Sequence, residues 1–334
     1  MSSSISSSEA AIWRRFTARL IAVAALALAA VLGLAYLIDP YDTGRSPVFE
    51  KAGVRPQGPR TAAASRGRDP AFRAAIVGNS HTQLLSPERL RERTGIPFVQ
   101  LAVPATGPKE QLVLVEWFVR HRDAPPDAIV LGADTTWCTA DPALANDKPF
   151  PFWLFSESPL DYIQGLLRFD ILEELPRRIG YLAARNPERA RPDGYWDYEA
   201  DYMVLGFGTD PNLRARLDLP AGARANDTGR FPAAAALADL ARSLPPQTAL
   251  VVLIPPHYIT AQPASGTQDA AKEEACKAAL RQAVAGRPKS VVVDWRVDRP
   301  ENRDPSLYFD HTHYRQGIAQ AVEADIAAAL RSVR

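Results

Sequence analysis

The stretch Ala74–Thr82 reads AAIVGNSHT. Four small or branched apolar residues run without alternation and then stop at a glycine and a polar cluster. A short continuous apolar run bounded by a turn is the pattern of a strand buried on both faces. Outward from Ala74–Val77 the pattern recurs at Phe98–Val103, Ala128–Leu131, Ala249–Ile254 and Ser290–Asp294. Helical stretches fall between these runs. Ser86-Pro87 offers an N-cap followed by proline at the first helical position. Gly107-Pro108 opens a stretch to Arg122 with Leu112, Val115, Trp117 and Phe118 on one face, and Gln268–Ala285 and Tyr314–Val333 are alanine-rich. Strand–helix alternation predicts an α/β fold: a five-stranded parallel sheet sandwiched between two helical layers.

In such a sheet, reactive groups gather beyond the carboxyl ends of the strands. The predicted strands end in Gly78-Asn79-Ser80-His81-Thr82, Pro104-Ala105-Thr106-Gly107, Gly132-Ala133-Asp134-Thr135 and Pro255-Pro256-His257-Tyr258. Beyond the fifth comes Tyr308-Phe309-Asp310-His311-Thr312-His313-Tyr314. Four of the five histidines lie in these segments, His121 being the exception. A serine at a strand tip becomes a nucleophile once a base takes its proton, and a histidine does this near neutral pH. Asp310 stands three residues before His313, so one turn can carry both, the carboxylate fixing the imidazole tautomer. Ser80, His313 and Asp310 are therefore the candidate catalytic residues. The Ser80 and Gly107 amides are candidate oxyanion donors, glycine allowing close backbone approach. His81 and His257 are expected to line the crevice.

The segments Ile76-Val77-Gly78-Asn79-Ser80-His81-Thr82 and Asp310-His311-Thr312-His313 resemble the first and last blocks of the SGNH (GDSL-like) hydrolase superfamily, and Gly107 matches its glycine block. The resemblance implies a flavodoxin-like SGNH sandwich from about Ala71 to the C-terminus, with Ser80 as nucleophile, His313 as general base and Asp310 as its orienting carboxylate. Two positions depart from the pattern. Asn79 stands where the family usually has Asp, and Asp134 stands where the third block offers an Asn to the oxyanion. An ionised carboxylate there would repel an oxyanion, and losing one such donor costs on the order of 100- to 1000-fold in rate.

Upstream, Leu20–Ile38 carries no charge. Nineteen helical residues at 1.5 Å each match the roughly 30 Å hydrocarbon core of a bilayer. Arg14, Arg15 and Arg19 precede it; Arg45, Lys51 and Arg55 follow, behind Asp39 and Asp42. The closer basic cluster predicts a cytoplasmic tail at 1–19, an uncleaved anchor at 20–38 and an exported domain. An anchor followed by Asp39-Pro40-Tyr41 and a long insertion resembles bacterial membrane-anchored SGNH-like proteins, some of which modify envelope polysaccharides, as the alginate O-acetyltransferase group does. That resemblance implies an inner-membrane setting, a periplasmic domain, an envelope carbohydrate or acyl donor as substrate and a membrane-protein partner.

Residues 39–70, rich in Gly, Pro, Ser and Arg, read as a linker. Residues 135–248 read as an insertion or cap, with Asp161–Ala184 helical. Its aromatics, Trp137, Phe150, Phe152, Trp153, Phe155, Tyr195, Trp196, Tyr198 and Tyr202, are expected mostly to fill its own core. Lys+Arg at 39 against Asp+Glu at 38 argues against a nucleic-acid binder. Cys138 and Cys276 are too few for a disulfide scaffold, and the sequence leaves their pairing open. No cofactor is implied. Two rival readings stand beside serine-dependent acyl transfer: a glycan-binding or assembly factor that has lost catalysis, and a metal-binding protein using His311 and His313 with His81 or Asp310.

Overall fold

A computed structural model describes residues 7–49, 58–141, 149–184, 191–220 and 226–333. Lys51, Arg55 and parts of the expected linker and insertion lie outside the described residues. The chain is an α/β protein. Strands β1 (Ala74–Gly78), β2 (Phe98–Ala102), β3 (Ala128–Gly132), β4 (Ala249–Ile254) and β5 (Ser290–Asp294) form one all-parallel sheet in the order β2-β1-β3-β4-β5. The helices are α1 (Ser7–Ile38), α2 (Pro59–Arg68), α3 (Pro87–Thr94), α4 (Pro108–Arg120), α5 (Phe152–Phe155) and α6 (Pro159–Gly165), then α7 (Ile171–Ala184), α8 (Glu199–Val204), α9 (Pro211–Leu217), α10 (Pro232–Ser243), α11 (Gln268–Val284) and α12 (Gln316–Ser332).

Each strand feeds two cores. Ala75, Val77, Val99, Leu101, Ile129, Leu131, Leu250, Val252 and Ile254 face the layer of α2, α4, α10 and α11. Ala74, Ile76, Phe98, Ala128, Val130, Val251 and Leu253 face α3 and α12. Each such Val, Leu, Ile or Phe contributes about 1.5–3 kcal/mol on burial, which is why these runs do not alternate with polar residues. Local chemistry ends the helices as expected: the Ser86 hydroxyl accepts from the Arg89 N–H at 3.4 Å, and Gly95 closes α3 at φ 74°. The outer edge of β2 is covered by the insertion, where the Gln100 N–H donates to the Asp193 carbonyl at 2.7 Å.

Two expectations need correction, and one alternative left open is settled. The stretch read as a linker contains α2, whose Ala62, Ala63, Ala64 and Ser65 are buried. Its residues are too small to show an apolar period, and Gly67 is what lets it seat: a Cβ there would lie 2.7 Å from Trp117 Cδ1. The helix expected over 161–184 is two helices, α6 and α7, broken at 166–170. The alternative left open for the cysteines resolves as a bridge: Cys138 and Cys276 form a disulfide with Cα atoms 5.5 Å apart, tying the turn after β3 to α11. Closing a loop of 138 residues stabilises a fold by typically 2–4 kcal/mol.

α1 is long and apolar enough to span a membrane. Most of its shaft is exposed, while Ala35 and Ile38 at its end are buried in the domain. The joint after it is polar and sealed. Asp39 Oδ1 accepts from the Thr43 hydroxyl at 2.9 Å and the Tyr162 hydroxyl at 2.8 Å, and Oδ2 from the Gly44 N–H at 2.8 Å. Asp42 accepts from Ser65 at 2.7 Å and Arg178 at 3.0 Å, and pairs with Arg68. Both aspartates have positive φ, 48° and 51°, a conformation Asp tolerates because its short polar side chain bonds locally.

Candidate active site

The switch in strand order lies between β1 and β3, and the loops leaving them diverge there. β1 ends in a tight corner. Thr82 sits between the ends of both strands: a Cβ on Gly78 would fall 2.5 Å from Thr82 Oγ1, and one on Gly132 would fall 2.3 Å from its Cγ2. The two glycines thus let the chain turn at once into Ser80–Thr82. The buried Gln100 amide holds this corner by donating to the carbonyls of Thr82 at 3.0 Å and Leu85 at 2.9 Å.

On the far side of the sequence, Asp310 opens a turn by accepting from the N–H groups of Thr312 at 2.8 Å and His313 at 2.9 Å. α12 follows and is clamped to α3. Its buried Glu323 accepts from the Ser86 N–H at 2.7 Å and pairs with Arg89 at 2.6 Å. The clamp sets the two ends of the chain against each other. His313 Nε2 then lies 2.8 Å from Ser80 Oγ, and His313 Nδ1 lies 2.8 Å from Asp310 Oδ2. With Nδ1 protonated toward the carboxylate, Nε2 accepts from the serine hydroxyl. Burial pushes the Asp310 carboxyl up, but the His313 ring, its charge and the two turn amides more than offset this and hold it well below the usual range. It therefore stays an anion beside the imidazole.

His81 and His257 complete a histidine cluster. The His81 ring centre is 5.0 Å from that of His313 and 5.7 Å from that of His257. His257 is buried, and burial together with the nearby Arg296, His81, His313 and Lys277 pushes its pKa well down, so it is neutral. His311 stands apart: its Nε2 meets the Leu219 carbonyl at 2.8 Å. Among the described residues no group of three His, Cys, Asp or Glu is arranged to hold a metal ion.

Asp134 is almost wholly enclosed. It accepts from the Thr136 N–H at 2.9 Å and from the Asn79 amide, and lies 3.3 Å from His81 Nδ1, an ion-pair distance rather than a directed hydrogen bond. Burial raises its pKa, and His81, Thr136 and Asn79 outweigh that, leaving it lowered. Asp134 is thus a carboxylate saturated by its neighbours.

One expected oxyanion donor is placed elsewhere. The Gly107 N–H donates to Glu110 Oε2 at 2.9 Å, because Glu110 is the third residue of α4 and reaches back to its N-cap. The sequence signal for this was present in Gly107-Pro108-Lys109-Glu110 and went unread. Among the described residues no acceptor takes the Ser80 N–H. The loop between β2 and α4 is also fixed: Thr106 Oγ1 donates to the Val103 carbonyl at 2.7 Å, and Ala105 is held at φ 55°.

The insertion walls one side of the site. The Tyr202 ring centre lies 5.1 Å and that of Tyr198 6.0 Å from Phe309, the residue before Asp310. Trp137, Phe150, Phe155, Tyr195 and Tyr198 are buried, and Phe152, Trp153, Trp196 and Tyr202 partly so. Compared with known proteins, the chain matches no family model and no curated protein.

Proposed function

We propose that the chain is a membrane-anchored, serine-dependent esterase or O-acyltransferase of SGNH type, acting on an envelope glycan or exopolysaccharide. The observation that carries this reading is the Ser80–His313–Asp310 relay, with both links at 2.8 Å and with Ser80 and His313 brought together across 233 residues of sequence. A helix-capping serine and a structural histidine have no need of a third, carboxylate partner aligned on the far ring nitrogen.

In the reaction, Ser80 Oγ attacks the acyl carbonyl while His313 Nε2 takes its proton. The tetrahedral intermediate collapses, its C–O bond to the leaving alcohol breaks, and the imidazolium returns the proton to that alcohol. Water or a sugar hydroxyl then attacks the acyl-serine, losing its proton to His313, and collapse restores Ser80. Asp310 stabilises the imidazolium in both halves. The two departures from the superfamily pattern meet each other: the Asn79 amide donates to the Asp134 carboxylate, which engages that carboxylate within the corner.

Two features favour placing the domain outside the cytoplasm: the three arginines ahead of the apolar run, and the Cys138–Cys276 bridge, which suits an oxidising compartment. Partly exposed Tyr202, whose ring meets Phe309 next to Asp310, suits stacking against a sugar ring.

A second reading, a glycan-binding protein without turnover, is favoured by one observation: the Gly107 N–H, the second donor expected for an oxyanion, is taken by Glu110. A fluorophosphonate probe and p-nitrophenyl acetate separate the two on the full chain. The acyl-transfer reading expects labelling and ester cleavage, both lost in Ser80→Ala. A folded wild type that neither labels nor cleaves overturns it.

A further inference from the structure

We infer that α6 and α7 form a second membrane contact, lying in the headgroup layer beside α1, so that the domain rests on the bilayer rather than swinging from a tether. The inference rests on the anchor reading of α1 and goes beyond it. α1 packs against α7, and its Tyr36 meets Tyr162 of α6 edge-on with ring centres 6.2 Å apart. Leu32, Ala35, Tyr36 and Ile38 are packed into the domain's core. Only Leu20–Ala30 is both apolar and free on all sides, about 16 Å of helix at 1.5 Å per residue. That is half of a hydrocarbon core of roughly 30 Å.

The missing length has two sources. Extending toward the N-terminus draws Arg14, Arg15 and Arg19 into hydrocarbon. Extending toward Ile38 draws in no charge, and takes with it whatever is packed around residues 31–38, which is the α6–α7 flank. That flank is built for it. Leu160 and Ile163 stand exposed on α6, away from buried Tyr162, and exposed Leu167 follows just after its end. On α7, Leu172 and Ile179, two turns apart, are exposed alongside buried Ile171 and Leu175, and Phe169 at the break between the helices is 91% exposed. An apolar stripe open to solvent on each of two adjoining helices is the mark of an interfacial surface. Of the charges among them, Asp161 accepts from Ser156 at 2.6 Å and Glu173 pairs with Arg177 at 2.9 Å, while Arg168 and Asp170 stand exposed on either side of Phe169, at the level where headgroups carry charge.

The test uses the full chain in phosphatidylethanolamine–phosphatidylglycerol vesicles. Its native cysteines are bridged, so single cysteines introduced as Phe169→Cys, Leu172→Cys, Leu26→Cys or Arg331→Cys carry an NBD fluorophore at one place each. Lipids bearing a nitroxide near the headgroup or along the acyl chain supply the quencher. The expected result is strong quenching at 169 and 172 by the headgroup-level nitroxide, strong quenching at 26 by the acyl-chain nitroxide, and none at 331. Quenching at 26 with none at 169 and 172 overturns the inference and leaves the anchor standing; crosslinking between chains at 169 would then assign the face to a second copy. No quenching at 26 overturns the anchor, and this inference with it.

Discussion

Two carboxylate sites, the partly exposed relay at the sheet's edge and the buried joint below α1, use the same residue type to opposite ends. At the relay, Asp310 faces an imidazole whose other nitrogen faces a hydroxyl. A proton can move along that line. At the joint, Asp42 faces the guanidiniums of Arg68 and Arg178, which do not release protons, and Asp39 faces hydroxyls and backbone amides. Charge there is fixed and geometry is locked. The difference teaches that a carboxylate's role is set by its partner: an imidazole makes it part of a proton path, an arginine makes it a rivet.

The largest expected effect breaks the comparison on the relay side. Ser80→Ala or His313→Ala should lower ester turnover by roughly four or more orders of magnitude, as removal of one member of such a unit does. Ser80→Ala should leave the unfolding free energy in urea within about 0.5 kcal/mol of wild type, since its side chain is partly exposed, whereas His313→Ala also gives up its contact with Asp310. On the joint side the pattern inverts. Asp42→Asn keeps a residue that tolerates positive φ but strands two arginine charges, the Arg178 side chain being 1% exposed. It should cost about 3 kcal/mol in urea unfolding, while the folded fraction keeps its fluorophosphonate labelling. A joint variant that unfolds normally but loses labelling would contradict the division.

What the sequence showed follows the same line. The five strands were legible because strands buried on both faces must be continuously apolar, and the relay was legible because its members sit at strand ends, where topology forces convergence. The joint was not legible. Asp39 and Asp42 stand in the sequence only as acids following an apolar segment, and nothing local betrays that Arg178, 136 residues on, closes over Asp42. α2 was hidden because alanine, serine and glycine bury without a period. The Glu110 hold on Gly107 was hidden by attention to the glycine alone, although the acid three residues later carries the signal.

A third, smaller effect separates the two kinds of site by pH. Asp310 and Asp134 have lowered pKa values in the fold, so the stability they contribute is present above their unfolded values near 4 and is lost as pH falls further. His257 is also lowered, by burial and its cationic neighbours, so its contribution is present above an unfolded value near 6.5 and erodes as pH falls below that. Urea midpoints should therefore decline in two stages, beginning below about pH 6.5 and steepening below about 4. His257→Gln should remove the first stage and Asp310→Asn should blunt the second. A first stage that persists in His257→Gln would show that another group carries it.

The smallest effect tests whether positive φ means the same thing in both places. Ala105 beside the relay and Asp39 at the joint share it, at 55° and 48°. Alanine has no side-chain atom with which to offset the left-handed conformation, which costs roughly 1–2 kcal/mol outside glycine. Ala105→Gly relieves that strain but enlarges the unfolded ensemble by about 0.4–1 kcal/mol, so net stability should change by less than about 1 kcal/mol. Asp39→Gly relieves strain too, yet it removes the acceptor for Thr43, Tyr162 and the Gly44 and Arg45 amides. With Tyr162 buried, that loss outweighs the relief, and stability should fall by about 1–3 kcal/mol for the donor left unsatisfied. Equal urea midpoints for the two variants would mean that the joint's hydrogen bonds hold no more than the loop's single alanine does.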